Sequence, residues 1–281
     1  MIAAFNEGDN MRVFNVEEGN KFGTQASSKG NQIKWFIDNC YIKADTYGYE
    51  SVAEIVSCIL CKNAGLKYIK YMPCIIMENT GFGIIKHRGC YSINILRNNE
   101  NIKSLYRILK NRYSNAEIEQ FWVDYYCNEL VDKLVYEISV ETGVKIGTLM
   151  KYLSNICKLD ALIINEDRHI NNLALIEKDN KYRVAPIFDN GFSLLSFIAE
   201  SPFEYDFRIL IKYKRARPFF RDFDLQAGYF KDYPLLKINY KQLLNDLHNL
   251  KIDGYELYIE RAINVLLYRL EQTRGVIWHE I

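Results

Sequence analysis

Hydrophobic and polar positions alternate in short runs over roughly the first 95 residues, then hydrophobic ones recur at three- and four-residue spacing through most of the remainder. The alternation predicts strands at 11–16, 32–37 and 40–44, the last two closing a hairpin over Asp38-Asn39. Val52, Ile55, Val56, Ile59 and Leu60 share one stripe and predict a helix over 49–64, stopped by Gly65. A second strand pair, 68–77 and 82–86, turns at Asn79-Thr80-Gly81. After the polar passage 97–101 the pattern predicts helices over 102–112, 115–137 and 145–164. The last of these buries Leu149, Leu153, Ile156, Cys157, Leu159 and Ile163 and delivers the loop 165–172. A hairpin of 173–177 and 182–188 follows, 192–230 reads as irregular, and helices over 239–249 and 254–274 close the chain. The expectation is an α+β protein in two parts: 1–97, strand-rich with one helix, and 98–281, mainly helical.

Composition narrows the class without changing this outline. With 281 residues, 49% hydrophobic and 25% charged, the chain is long enough and apolar enough to bury two modest cores. A net charge of +1 gives no overall attraction to polyanions, so direct DNA binding and membrane-surface attachment are not expected. No run approaches the roughly 20 apolar residues of a membrane span, and 1–10 lacks the basic-then-apolar order of a secretory signal. Among the seven cysteines, Cys58, Cys61, Cys74, Cys127 and Cys157 lie in apolar runs and read as buried hydrophobes, which points to a reducing cytoplasmic setting. The Cys58 and Cys61 spacing lacks the second pair or histidine that a zinc site needs.

The chemistry is concentrated in Asp160-Ala161-Leu162-Ile163-Ile164-Asn165-Glu166-Asp167-Arg168-His169-Ile170-Asn171-Asn172, answered beyond the hairpin by Ala185-Pro186-Ile187-Phe188-Asp189-Asn190-Gly191. A hydroxyl attacking a γ-phosphate loses its proton as the new bond forms, which requires a carboxylate; Asp167 is the candidate base. Mg²⁺ takes a few hard oxygens and fills its remaining positions with water and phosphate; Asn172 and Asp189 are the candidate ligands. An antiparallel hairpin brings the chain back to where it left, which sets Asp189 beside the loop of Asp167. Singly, each of these residues is an ordinary turn former. In combination, with Arg168-His169 behind the base, they point to phosphoryl transfer.

The pattern D-x-L-x-x-N-x-D-R-H-x-x-N followed by A-P-I-F-D-x-G resembles the HipA-like serine/threonine protein kinases, in particular their CtkA-type members, over roughly residues 20–195. The resemblance implies a two-lobed protein-kinase-like fold that uses ATP with Mg²⁺. It implies that Lys43 meets the α- and β-phosphates and is held by a glutamate of the following helix. Periodicity leaves Glu50 and Glu54 open, and the family register selects Glu54. Segment 84–88 is read as the connection between lobes, with Lys86 and His87 against adenine, and His169 as scaffold beside the phosphates. The stretch 23–30 reads as a phosphate-covering loop in which Ser27 and Ser28 are candidate autophosphorylation sites, where a dianion would repel ATP. The resemblance further implies a toxin–antitoxin setting, with an aminoacyl-tRNA synthetase as protein substrate and an antitoxin protein as partner.

Two other readings compete. One is a phosphoinositide-like lipid or small-molecule kinase, which shares the D-R-H-x-x-N and D-x-G elements. The other is a pseudokinase serving as a binding module. Separately, Lys212, Lys214, Arg215, Arg217 and Arg221, interleaved with Phe219 and Phe220, read either as a solvated face or as a surface for an acidic substrate or its attached nucleic acid.

Overall fold

The computed structural model describes residues 11–17 and 32–281, so the stretch 23–30, with Ser27 and Ser28, lies outside the described residues. The first lobe is a five-stranded sheet in the order β1 (Arg12–Glu17), β4 (Met72–Thr80), β5 (Gly83–Ile93), β3 (Cys40–Ala44), β2 (Lys34–Ile37). β1 runs parallel to β4, and the other neighbours are antiparallel. Asp38 and Asn39 turn between β2 and β3 at φ 50° and 59°, a left-handed backbone that Asp and Asn tolerate because their short side chains bond locally. That turn sets Lys34 opposite Lys43. One face of the sheet buries Phe14, Val16, Trp35, Ile42, Cys74 and Ile76.

Helix α1 (Glu50–Asn63) buries Val52, Ile55, Val56 and Leu60 in the larger core that it shares with the second lobe. It stops at Gly65, which adopts φ +63° while Leu66 N–H closes onto the Cys61 carbonyl at 3.0 Å. Gly89 in β5 has a structural reason of another kind: a Cβ there would stand 2.0 Å from the Lys43 carbonyl oxygen, so only glycine lets β5 approach β3 at the lysine.

Segment 84–88 is not the connection between lobes. Lys86 and His87 pair with Met77 and Ile76 inside β5, and that strand continues to Ile93. The exposed and half-buried side chains of Lys86, His87 and Arg88 lie on a stretch paired with β4 along one edge, and β3 joins the other edge only from Gly89 on.

The second lobe contains β6 (Asn101–Ser104), α2 (Leu105–Leu109), α3 (Asn115–Asp124), α4 (Cys127–Thr142), α5 (Ile146–Ile163), β7 (Ala174–Lys178), β8 (Lys181–Val184), α6 (Phe207–Tyr213), α7 (Phe223–Tyr229), β9 (Leu236–Ile238), α8 (Tyr240–His248), α9 (Glu256–Thr273) and β10 (Trp278–Glu280). Three sequence expectations change here. Residues 102–104 are strand, because β6 pairs with β7, and Ser104 then caps α2 by accepting from Arg107 N–H. The helix expected over 115–137 is two, since Tyr125 and Tyr126 adopt extended backbone. The region 192–230 carries α6 and α7, whose first turns are capped by the Asp206 and Asp222 side chains. All seven cysteines are free, and every one but the half-buried Cys127 is buried. Among the described residues no helix is long and apolar enough to cross a membrane.

Candidate active site

The site begins where α5 ends. Ile164 takes φ 52°, a conformation costly for a β-branched residue, and it persists because both flanks are bonded: Asn165 N–H to the Asp160 carbonyl at 3.1 Å and Leu194 N–H to the Ile163 carbonyl at 2.7 Å. The Asn165 side chain then spans the turn, donating to Asp160 Oδ1 and accepting from Asp167 N–H, each at 3.1 Å. These bonds fix the backbone of Asp167 from behind.

Arg168 joins the two halves of the motif. Its guanidinium is fully buried and bonds Asp160 through Nε and Nη2 at 2.9 Å each, the Phe188 carbonyl through Nη1 at 2.8 Å, and Asn190 Oδ1 through Nη2 at 2.6 Å. Burial alone would weaken its proton, but Asp160 reverses the balance and holds the cation above its usual range. One side chain thus ties the 167–172 loop to the residues on either side of Asp189. The Asn172 amide donates to the Asp167 carbonyl at 3.0 Å, which leaves Oδ1 as the amide's remaining group.

Asp189 itself sits at φ 60° and meets the first lobe. Its Oδ1 is 2.6 Å from Lys43 Nζ and its Oδ2 3.9 Å from Lys34 Nζ. Burial opposes ionisation, yet Lys34 and Lys43 hold the carboxyl well below the ordinary carboxylate range, so it is an anion at neutral pH. Lys43 Nζ is also 2.6 Å from Glu54 Oε1, and the ammonium stands 4.7 Å over the Tyr71 ring. Against burial, Asp189 and Glu54 keep Lys43 charged, well above the usual lysine value. Glu54 Oε2 accepts the Asn190 N–H at 2.9 Å, so α1 grips both the lysine and the residue after Asp189.

Glu50 and Glu54 are both fully buried, although they lie off the apolar stripe. Glu54, and not Glu50, meets Lys43. Glu50 instead accepts the N–H groups of Thr46, Tyr47 and Gly48 at 2.8–3.0 Å and fixes the entry to α1. Gly48 bridges to Phe197, and a Cβ on it would fall 2.0 Å from the Ser196 carbonyl oxygen.

The histidines differ in place. His87 bonds Glu78 at 2.8 Å within the sheet, and Lys86 is exposed on the same strand. His169 Nε2 is 3.8 Å from Asp167 Oδ2, and neither ring nitrogen has a hydrogen-bond partner among the described residues. Burial lowers its pKa despite Asp167 and Asp189, so the ring beside the candidate base is neutral. Sequence reasoning left three groups at the site without a role: Lys34, Tyr71 and Asn190. Lys34 was accessible in principle, since a two-residue turn dictates that it faces Lys43.

Among the described residues no three His, Cys, Asp or Glu side chains form a metal cluster. The donor set present, an amide oxygen on Asn172 and an ionised carboxylate on Asp189, suits a hard cation that takes its other ligands from phosphate and water.

No protein-family model matches the chain, and neither does any curated protein. Among solved structures, the proinflammatory kinase CtkA of Helicobacter pylori matches over 86% of this chain and 90% of its own, with a TM-score of 0.57 and 16% identity. The fold is that of CtkA. HipA of Shewanella oneidensis MR-1, solved with HipB and its operator DNA, matches over 88% of this chain and 65% of its own, with a TM-score of 0.48 and 11% identity. The CtkA fold accounts for the two-lobed plan, a strand-rich lobe with one helix against a mainly helical one.

Proposed function

We propose that this protein transfers the γ-phosphate of Mg·ATP to a serine or threonine hydroxyl of a protein. The observation that carries the reading is Lys43, whose ammonium lies 2.6 Å from both Glu54 and Asp189 and so joins the sheet, α1 and the Asp-Asn-Gly turn at one point. A lysine held in this way presents a fixed positive charge to α- and β-phosphates. Asp167 takes the proton of the attacking hydroxyl. The new bond forms from that oxygen to the γ-phosphorus, and the bond to the departing ADP oxygen breaks. Asn172 and Asp189 would hold the magnesium ion, which neutralises phosphate charge. Burial weakens the basicity of His169, which leaves the role of base to Asp167. For adenine, the contact moves from Lys86 and His87 to the segment just after β5, where Leu96 packs against the cluster of Ala174, Ile176 and Ala185 that Phe188 also meets.

Self-modification at Ser27 or Ser28 belongs to the same proposal. A synthetase substrate and a restraining antitoxin stand on the motif resemblance alone. The test uses γ-labelled ATP with the purified protein and a lipid mixture. Label is expected on protein serine or threonine and should fall about 10²–10⁴-fold in Asp167→Ala. Label in lipid alone would move the protein to the lipid-kinase class, and no transfer at all would make it a binding module.

A further inference from the structure

We propose that segment 212–221 selects the protein substrate by binding an acidic stretch beside the accepting hydroxyl. This rests on the kinase reading and adds the chemistry of what that site accepts.

The segment is attached to the catalytic loop. Lys214 is buried with its Nζ 2.8 Å from Glu166 Oε2, on the residue preceding Asp167, and 3.9 Å from Glu200 Oε2. Beyond Lys214 the chain folds back, with Ala216 N–H on the Arg221 carbonyl at 2.9 Å. Fully buried Gln226 then locks the fold. Its Oε1 accepts the N–H groups of Phe219 and Phe220 at 3.2 Å each, and its Nε2 donates to the Arg217 carbonyl at 2.9 Å. From the other side Trp122 Nε1 donates to the Pro218 carbonyl at 2.9 Å. A merely solvated charged face does not require a backbone held from both sides.

The charges on this frame are placed by its backbone. Lys212, Arg215 and Arg221 are exposed, and Arg217 is half-buried. Arg215 Nη1 donates to the Lys212 and Lys214 carbonyls at 3.1 Å each, which fixes the direction of its guanidinium. Arg217 lies near enough to His169 to oppose protonation of that ring, which is 3.8 Å from Asp167. Nearby acids are engaged elsewhere: Glu166 and Glu200 with Lys214, Asp206 and Asp222 capping helices, Asp224 with Arg269. Lys212, Arg215 and Arg221 therefore stand as exposed cations on a frame that Lys214 fastens to the residue before Asp167.

Pre-oriented guanidinium groups favour carboxylates, which they bond in pairs at little entropic cost. So small a patch on a nearly neutral chain favours a short acidic stretch over a nucleic acid, whose affinity grows with the number of phosphates neutralised.

The test compares two serine peptides, identical except for glutamates or lysines flanking the serine, phosphorylated by the full chain with Mg·ATP. Wild type should prefer the glutamate peptide by about tenfold in kcat/KM, and Arg215→Glu/Arg221→Glu should reverse that preference through KM. A variant that labels the lysine peptide better than wild type does is necessarily folded, and Arg215→Gln/Arg221→Gln should give an intermediate ratio. Equal use of both peptides by wild type, an unchanged preference in both variants, or lost affinity for bulk tRNA with glutamate preference retained would overturn the proposal. Transfer to neither peptide alongside self-labelling would also refute it while sparing the kinase reading. No transfer of any kind would remove both.

Discussion

Two buried ion pairs meet near Asp189, one from each lobe, and they are built for different tasks. Asp160 and Arg168 are sealed, with both side chains at 0% exposure, and the guanidinium is bonded on every side to protein. Lys43 and Glu54 are nearly as buried, at 8% and 1%, but Lys43 also reaches Asp189, whose side chain is 25% exposed. A pair that is sealed and saturated can only hold structure. A pair that opens through one member onto an accessible carboxylate can exchange that contact for a phosphate. The same charge chemistry thus serves as fastening in the helical lobe and, under the proposed function, would serve as ligand contact in the sheet lobe.

Substitutions that remove the cation from each pair should separate the two roles. The largest effect is expected from Arg168→Met, which leaves Asp160 buried without its partner and frees the Phe188 carbonyl and Asn190. The cost of breaking such a pair is about 3–5 kcal/mol, a large share of the roughly 5–15 kcal/mol stability of a typical domain. Urea unfolding should show the lowered midpoint, and an unchanged midpoint would reduce Arg168 to an accessory.

Lys43→Met should reverse the emphasis, with transfer falling about 10²–10³-fold, the usual loss for one electrostatic contact to a reacting group. Its unfolding midpoint should drop less than that of Arg168→Met, because Asp189 keeps Lys34 and partial solvent access. Equal destabilisation by the two substitutions would erase the distinction.

The smallest effect concerns Asp45, just after β3, which bonds Ser51 of α1 and Tyr255 of the second lobe. Burial first, and then the Glu50 charge, push its carboxyl up to about 7. A carboxyl raised in the folded state stabilises fully below its unfolded value, and that contribution is lost as pH rises through about 7. Asp45→Asn carries no such titration, so its Tm should fall less than that of wild type between about pH 5 and 8. Parallel Tm profiles would refute the assignment.

Much of the fold was legible because it depends on local chemistry. The Asp38-Asn39 turn, Gly65 and the α1 stripe each state their conformation in adjacent residues. The break at Tyr125-Tyr126 was not legible, since apolar spacing continues across it and only packing reveals the extended backbone. The three-residue strands β9 and β10 are too short to show any period. At the site, Asp167, Asn172 and Asp189 stood out by motif. The role of Arg168 as the fastener between them depends on contacts across 20 and 22 residues of sequence, which no local pattern encodes. Glu50 lies off the apolar stripe, where a carboxylate is ordinarily solvated. Three backbone donors, assembled only by the bend at 46–48, explain its burial.

Gly48 carries a consequence for control. Because its missing side chain lets the start of α1 lie directly on the Ser196 carbonyl, with Ile198 N–H bonded back to Tyr47 at 3.1 Å, the helix bearing Glu54 is riveted to the segment that follows Asp189. A side chain at position 48 would therefore lift the start of α1 from that segment and carry Glu54 out of register with Lys43, so a single absent Cβ controls whether these contacts close.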